Sequence, residues 1–324
     1  GNFNNTIGLP LTIFKLNQQH EVCVLEMGMN SIGEIKSLST IVKPSIAVIT
    51  NIGSAHIEKL GSRDNILKAK LEVLNYFTSE DIAILNGDDD MLSSVKDNCL
   101  NIVRVGTEVG NHIYAKDIRT MDDKGVEFST YINGDFHDFY IPIIGTHNVY
   151  NALFAIAVGM SMGMDIDKIK KGLVNFVGVR MRMEPIIINS GIRIINDAYN
   201  ANPESMSAAI EVMSNLHSRN RKVLVLADML EQGDYARKSH YKIGALVAKN
   251  NIDILIAIGE ESKATVEGAL DHGMEKSKVY HFMDNDHVVN RINDILMPFD
   301  TVLFKGSRAA ALEEIVEFLR ERGK

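Results

Sequence analysis

The stretch TNIGSAHIEKLGSRDNILKAKLEVLNYF, residues 50–77, decides how the rest of the chain is read. Its second half carries Ile66, Lys70, Val73 and Phe77 at spacings of four, three and four, one face of an amphipathic helix. A lysine has landed in an apolar stripe. Desolvating an ammonium ion is costly, so such a group snorkels to water, loses its proton or finds a partner. A neutral amine is nucleophilic, and one fate open to it is capture of carbon dioxide, which turns a cation into an anionic oxygen ligand. Fourteen residues earlier lies His56, in a loop after the apolar run Ile46–Ile49. Loops beyond the carboxyl ends of parallel strands are where ligands gather in open sheets. An ordinary loop histidine and a snorkelling lysine satisfy the same spacing.

Working outward, the run EVCVLE, Glu21–Glu26, reads as a short buried strand that delivers Glu26 at its carboxyl end, and Ile32–Ile41 reads as helical. Ile46–Ile49 is the next strand and Ile82–Leu85 the third, closed by the turn Asn86-Gly87-Asp88. Strand, helix, strand at this spacing predicts a parallel sheet with crossover helices. Glu26 and His56 are then expected on one sheet edge. Between Val103 and Ile144, short alternating segments such as VEFSTYI and DFYIPII are separated by Asp122-Asp123, Gly125 and Asn133-Gly134. The Asn-Gly pair is a strong hairpin signal, so an antiparallel β extension is expected here. Gly145-Thr146-His147-Asn148 leads into a helix, Val149–Met162, with Asn148 and Asn151 on one face of its first turn. Two amides there either cap the helix or read the edge of a purine, since a carboxamide both donates and accepts.

GVRMRMEP, residues 178–185, places two arginines before a new strand, and the domain boundary is read at Pro185: residues 1–185, then 186–324. Beyond it, strands at Ile192–Ile195, Val223–Leu226, Ile254–Ile258, Val279–Phe282 and Val302–Phe304 alternate with helical stretches, the last strand running into a helix at Ala309–Arg322. That rhythm predicts a second α/β layer domain. Asn202-Pro203 is a helix start, with Asn as N-cap and Pro in the first turn.

Composition agrees with this division and excludes several classes. A chain of 324 residues exceeds what one core usually serves. Hydrophobic residues at 45% and charged residues at 23% are ordinary for a soluble globular protein. The formal charge of −8, from 34 basic and 42 acidic residues, argues against a nucleic-acid binder. Any phosphate ligand must be held by local basic groups, metal ions or helix N-termini. Two cysteines, Cys23 and Cys99, indicate a reducing compartment, hence the cytoplasm, and no disulfide framework. No apolar run is long enough for a membrane helix. The opening Gly-Asn-Phe-Asn-Asn, without an initiator Met, reads as cut from something longer.

Three ligand-type groups, Glu26, His56 and Lys70, are thus expected at one sheet edge. Glu26 suits a hard cation such as magnesium, Lys70 does so only as a carbamate, and the histidine suits manganese better. In the second domain Asp197 follows the strand IRII, where an acidic residue accepts from ribose hydroxyls in nucleotide folds or simply makes a turn. Lys305-Gly306-Ser307-Arg308 lies between the last strand and the last helix, so its amides, the helix dipole and two cations favour a carboxylate or phosphate. A polar loop with a capping Ser307 is the plainer alternative. Arg180 and Arg182 could reach a phosphate or make an ion pair between domains. No GxxxxGK[ST] phosphate cradle occurs in the chain.

Taken together and in order, GNFNNTIGLPLT, EVCVLEMGMNSIGEI, ITNIGSAHIEKLGSRDNILKAKLE, GTHNVYNALFA, MRMEP, NDAYNANPESM, ADMLEQG and LFKGSRA resemble the Mur ligases over nearly the whole chain. That family has an N-terminal domain for a UDP-sugar substrate, a central ATPase domain and a Rossmann-like C-terminal domain. The resemblance therefore implies a central domain, a mostly parallel sheet with a β extension and without its P-loop segment, followed by a Rossmann-like α/β domain. It further implies that the UDP-binding domain and P-loop precede this chain and that the chain alone is inactive. Carried across, Glu26 and His56 bind magnesium, Lys70 in KAKLE is the carbamylated lysine, and Asn148 and Asn151 lie beside adenine. Arg182 contacts phosphate, and Asp197 binds ribose. Asn200, Asn202, Lys305, Ser307 and Arg308 fall in motifs facing the incoming dipeptide, and Ala227 stands where many relatives have Gly.

The implied reaction is ATP-driven amide synthesis in peptidoglycan precursor formation, joining D-alanyl-D-alanine to a UDP-N-acetylmuramoyl-tripeptide through an acyl phosphate. Metal ions with Arg182 would neutralise two approaching anions. A hinge near Pro185 would close the site against water. The chain is expected to act as a monomer. A sibling ligase adding a single amino acid, folylpolyglutamate synthase and a non-catalytic peptide- or nucleotide-binding module stay open as alternatives; GMNxxGEI and NDAYNANP favour the dipeptide ligase.

Overall fold

In a computed structural model that describes residues 3–322, two six-stranded sheets organise the chain, one in each half. Gly1 and Asn2 of the opening motif lie outside those residues. By contact the chain divides into two compact units. One holds the chain up to Asp117 with Ser129–Asp138 and Tyr150–Lys170; the other holds Ile118–Phe128, Phe139–Val149 and the chain from Lys171 onward.

The first sheet runs in the order β1 (Ile46–Ile49), β2 (Ile82–Asn86), β3 (Asn101–Gly106), β4 (Ile113–Thr120), β5 (Val126–Ile132), β6 (Asp135–Ile141). β1, β2 and β3 pair in parallel, with Ile49 opposite Leu85 and Leu85 opposite Arg104. The expected hairpin forms between β5 and β6. Its Asn133 and Gly134 both adopt positive φ, 51° and 102°, as a tight two-residue hairpin turn requires. Before and around β1 come α1 (Gly8–Ile13), α2 (Glu34–Val42), α3 (Ile57–Leu60) and α4 (Arg63–Leu71); α5 (Asn148–Ser161) and α6 (Ile166–Val174) follow β6. Ile66 and Ala69 of α4 bury against Ile49 and Leu85 together with Ile35 of α2. A short 3-10 turn, Glu72–Leu74, ends the helical run before Phe77.

One reading of this half is corrected. EVCVLE is not a strand: residues 21–26 have no ladder partner, and Val22 and Val24 are exposed. The hydrogen-bonded order ends at β1 without this run, and apolar composition alone does not make a strand. Lys70 is half-buried, as are Val73 and Phe77 of the same stripe, beside buried Ala69.

The second sheet takes the order β11 (Val279–Phe282), β10 (Ile254–Ile258), β9 (Lys222–Ala227), β12 (Thr301–Lys305), β8 (Arg193–Asn196), β7 (Glu184–Ile187). All neighbours are parallel except β7 on β8. Alternation along each strand builds a three-layer core. Val223, Val225 and Ala227 face α10 (Asn285–Ile295) and α11 (Glu313–Arg322), whereas Leu224 and Leu226 face α7 (Pro203–Asn215), α8 (Ala236–Lys249) and α9 (Ser262–Asp271). Each fully buried Leu, Ile or Val contributes about 1.5–3 kcal/mol. The five expected strands form, and the antiparallel edge strand β7 is added to them. Pro185, read as the boundary and hinge, lies inside β7 opposite Ile195, where an edge strand tolerates a missing amide.

Candidate functional site

Because β1 and β2 are parallel and in register, the loops that follow them leave on the same side of the sheet. The loop after β1 carries His56, whose backbone is left-handed (φ 63°, ψ 17°) as it starts α3. From α4, Lys70 Nζ donates to the carbonyl of Asn51 at 2.7 Å, which brings the lysine to the loop that carries the histidine. Glu26 is held elsewhere in the same half, its Oε1 accepting from Asn4 Nδ2 at 3.1 Å. Among the described residues, no three His, Cys, Asp or Glu side chains are arranged to hold a metal ion. His56 and Glu26 with a carbamate on Lys70 would supply one nitrogen and carboxylate oxygens, a donor set that fits a divalent cation.

At the start of α5, Gly145 has φ +104°, and a Cβ there would stand 2.5 Å from His147 Cε1. Only glycine lets the chain turn this close to the imidazole. Asn148 is buried, with Nδ2 donating to Ile144 O at 2.8 Å and lying 3.3 Å from His147 Nε2. Its amide is thus engaged in the loop, while Asn151, on the same turn, is exposed.

In the second sheet β8 and β12 are neighbours, and their carboxyl ends deliver Asp197 and Lys305 to one another. Lys305 Nζ donates to Asp197 Oδ2 at 2.6 Å and to the Asn200 carbonyl at 3.1 Å. Asp197 Oδ1 accepts from the Met183 amide at 3.2 Å. Burial pulls the Lys305 pKa down; the Asp197 carboxylate opposes this, and the Arg182 guanidinium adds to it. His147 faces the same pair. Burial lowers its pKa, with Asp197 raising and Lys305 lowering it further. Arg182 is delivered by a contorted segment in which Met181 and Met183 both have positive φ, 61° and 50°. Its guanidinium stacks on the Tyr199 ring, 4.2 Å from the centroid.

The anion site expected at Lys305-Gly306-Ser307-Arg308 is corrected. A 3-10 turn, Arg308–Ala310, follows β12, and α11 begins at Glu313, so Ser307 is not the cap of that helix. Ser307 instead accepts from the Leu230 amide through Oγ at 2.9 Å. Of the two cations, Lys305 is neutralised by Asp197 and Arg308 pairs with Glu313. Asn202 is the N-cap of α7 in a capping box with Ser205, as its position before Pro203 implies. Asn200 is exposed and bonds the Ala201 amide.

Sequence reasoning passed over Asp88, Asp89 and Asp90, of which Asp88 was read only as part of a turn. Asp88 accepts from Tyr150 Oη at 2.8 Å, Thr107 Oγ1 at 2.9 Å and Asn111 Nδ2 at 2.7 Å. Three successive acids after a strand were the available signal. A cavity of about 460 Å³ also opens at the carboxyl ends of β9 and β10, lined among others by Asp228, Gly259, Met283, Asp284 and Ala310.

The Mur ligase middle domain matches residues 1–159, and the Mur ligase glutamate ligase domain matches residues 181–308. The UDP-N-acetylmuramoyl-tripeptide–D-alanyl-D-alanine ligase of Bacillus subtilis is 41% identical over 321 residues, covering 99% of this chain and 69% of that protein. Among solved structures, MurF from Acinetobacter baumannii superposes with a TM-score of 0.90 at 30% identity, over 99% of this chain and 70% of that one. MurF from Thermotoga maritima in complex with ADP does so with a TM-score of 0.86 at 25% identity, over 99% of this chain and 72% of that one. With both domains matched in order and relatives aligned along nearly its whole length, this chain belongs to the Mur ligase family.

Proposed function

We propose that the chain is the catalytic part of an ATP-dependent ligase that joins D-alanyl-D-alanine to a UDP-N-acetylmuramoyl-tripeptide in peptidoglycan synthesis. The observation that carries this is the 41% identity, over 99% of the chain, to a ligase of that name. The implied chemistry balances in two steps. The tripeptide carboxylate attacks the γ-phosphorus of ATP and ADP leaves; the dipeptide amine then attacks the acyl carbon, and phosphate leaves as the nitrogen loses a proton. Magnesium, when bound, offsets the negative charge that gathers on the phosphoryl group.

The geometry supports roles for particular residues. Stacking on Tyr199 fixes the plane of Arg182, so its in-plane N–H groups suit a phosphate. Asn151 and Asn148 lie at the α5 start, on the adenine side of this reading. Asp197 takes one donor on each oxygen and keeps lone pairs for a ribose hydroxyl. Lys305 acts by holding Asp197 and the Asn200 carbonyl rather than as a free cation for the dipeptide; Asn200, Asn202, Ser307 and Arg308 complete the surface offered to it. Glu26, His56 and Lys70 would hold the metal. In the carbamate of this reading, the Lys70 ammonium first gives up a proton, and the neutral amine then attacks the carbon of carbon dioxide and releases a second. It keeps one N–H, which leaves one donor for the Asn51 carbonyl that the amine bonds here.

The test is phosphate release by the full-length protein given ATP, magnesium and UDP-N-acetylmuramoyl-tripeptide. Release that needs D-alanyl-D-alanine supports the assignment; release driven equally by single amino acids sinks it. For the carbamate, Lys70→Ala is expected to abolish most turnover and a short carboxylic acid to restore part of it. Unaltered activity in that variant removes the carbamate from the mechanism.

A further inference from the structure

The chain leaving β1 is gripped at two successive peptides by side chains from separate elements. Lys70 takes the Asn51 carbonyl. At Ile52, which is 1% exposed, the amide donates to Asp89 Oδ2 at 2.8 Å, and the carbonyl accepts from Arg63 Nε at 3.0 Å and Nη2 at 2.8 Å. The same guanidinium is bidentate on Asp90, Nη1 to Oδ2 at 2.8 Å and Nη2 to Oδ1 at 2.5 Å. Asp89 is itself immobilised by its own turn, its Oδ1 accepting from the Met91 and Leu92 amides at 3.0 and 2.9 Å. The peptide at Ile52 is thus bonded on both faces to the acidic turn after β2, directly through Asp89 and through Arg63 to Asp90.

Four residues further on, His56 holds its left-handed backbone. For a residue with a Cβ this costs on the order of 1–3 kcal/mol and persists only where the surroundings over-determine it. The grip on Ile52 fixes the near end of the segment and α3 fixes the far end, so the direction of the imidazole follows from where Ile52 is held.

We propose that Arg63, Asp89 and Asp90 are positioning residues for His56: they touch neither metal nor substrate, and they set the loop from which the imidazole reaches the cation. The proposal rests on the reading of His56 as a metal ligand. It predicts that the charge and the fork of the guanidinium are separable. Arg63→Lys keeps the cation but cannot bridge the Ile52 carbonyl and both oxygens of Asp90 at once.

The experiment titrates the full-length protein with Mn²⁺, reading free metal by electron paramagnetic resonance, and follows exchange of the Ile52 amide and the thermal midpoint in parallel. Arg63→Lys and Asp90→Asn are expected to weaken Mn²⁺ binding by about 10–100-fold, the range seen when supports of metal ligands are removed. Ile52 exchange should rise in both, and His56→Ala should lose binding to a similar degree. Variants that melt earlier but bind Mn²⁺ like the wild type, while His56→Ala loses it, overturn the positioning role and leave the metal site standing. A wild type that does not bind Mn²⁺, or a His56→Ala variant that binds it unchanged, overturns the metal reading and this proposal with it. Should Arg63→Lys fail to fold, Asp90→Asn alone decides between these outcomes.

Discussion

Lys305 Nζ lies 2.6 Å from Asp197 Oδ2 with the two residues only 2% and 8% exposed, so the second sheet closes its carboxyl edge around an ion pair. Neither charge has water to fall back on. Removing one partner strands the other: Asp197→Asn or Lys305→Met is expected to cost about 3–5 kcal/mol, whereas the apolar double replacement Asp197→Leu with Lys305→Met recovers most of it. Urea unfolding of the four proteins decides the matter. Single variants no less stable than the double would show that the pair is not desolvated as the geometry requires.

A second relationship is steric. A Cβ on Gly306 would stand 2.7 Å from Ala227 Cβ and 3.0 Å from Leu312 Cδ1. Leucine can rotate away; an alanine Cβ fixed to a central strand cannot. Gly306→Ala is therefore expected to cost about 1–3 kcal/mol. Making Ala227→Gly in the same chain should remove most of that penalty, a coupling of the kind measured between residues in contact. Equal penalties in both backgrounds would place the strain elsewhere.

How far the sequence was legible follows from which forces are local. Ile46–Ile49, Ile254–Ile258 and Val279–Phe282 were readable to the residue because apolar runs between turn signals are a local property. Glu21–Glu26 is also rich in apolar residues and failed, because a strand also needs a neighbour and the run forms no ladder among the described residues. β7 was hidden by Pro185, which usually breaks strands but is accepted at a sheet edge. Asp197 and Lys305 each drew attention in the sequence, yet their pairing across 108 positions was not legible, since only the β8–β12 adjacency brings them together. The same blindness turned Lys305 and Arg308 into free cations. Asp89 and Asp90 drew no reading at all, because their partners, Ile52 and Arg63, lie on other elements.

Asp88 anchors the third relationship. Burial would raise its pKa, but the Thr107 amide, Tyr150 hydroxyl, Asn111 amide and Thr107 hydroxyl together hold it below the usual carboxylate value. A carboxylate with a depressed folded pKa contributes stability above its unfolded value, and that stability is lost as pH falls through the folded one. Tyr150→Phe removes a charge-assisted bond of 2.8 Å and is expected to cost about 1.5–3 kcal/mol at neutral pH. The difference from wild type should shrink in acid, once Asp88 is protonated in both. Urea midpoints measured from neutral pH down to below the carboxylate range test this; a constant difference would mean that Tyr150 acts through packing alone.

His147 carries the same sign through a different cause. Burial depresses its imidazole pKa, while Asp197 raises and Lys305 lowers it further, so the folded protein takes up a proton less readily than the unfolded chain. Above an unfolded value of about 6.5, both states are neutral and the full stability is present. As pH falls between the unfolded and folded values the unfolded chain binds more protons, and stability declines by at most about 1.4 kcal/mol per pH unit before levelling off. His147→Gln keeps a polar side chain near the Asn148 amide and removes the titration. Its stability should therefore fall less steeply than that of the wild type as pH drops below the ordinary imidazole value. The chain has ten histidines, but the others are common to both proteins, so the difference between the two curves isolates this one. Parallel curves would show that His147 is as solvated as a free imidazole, and that the ring does not face the buried pair of Asp197 and Lys305.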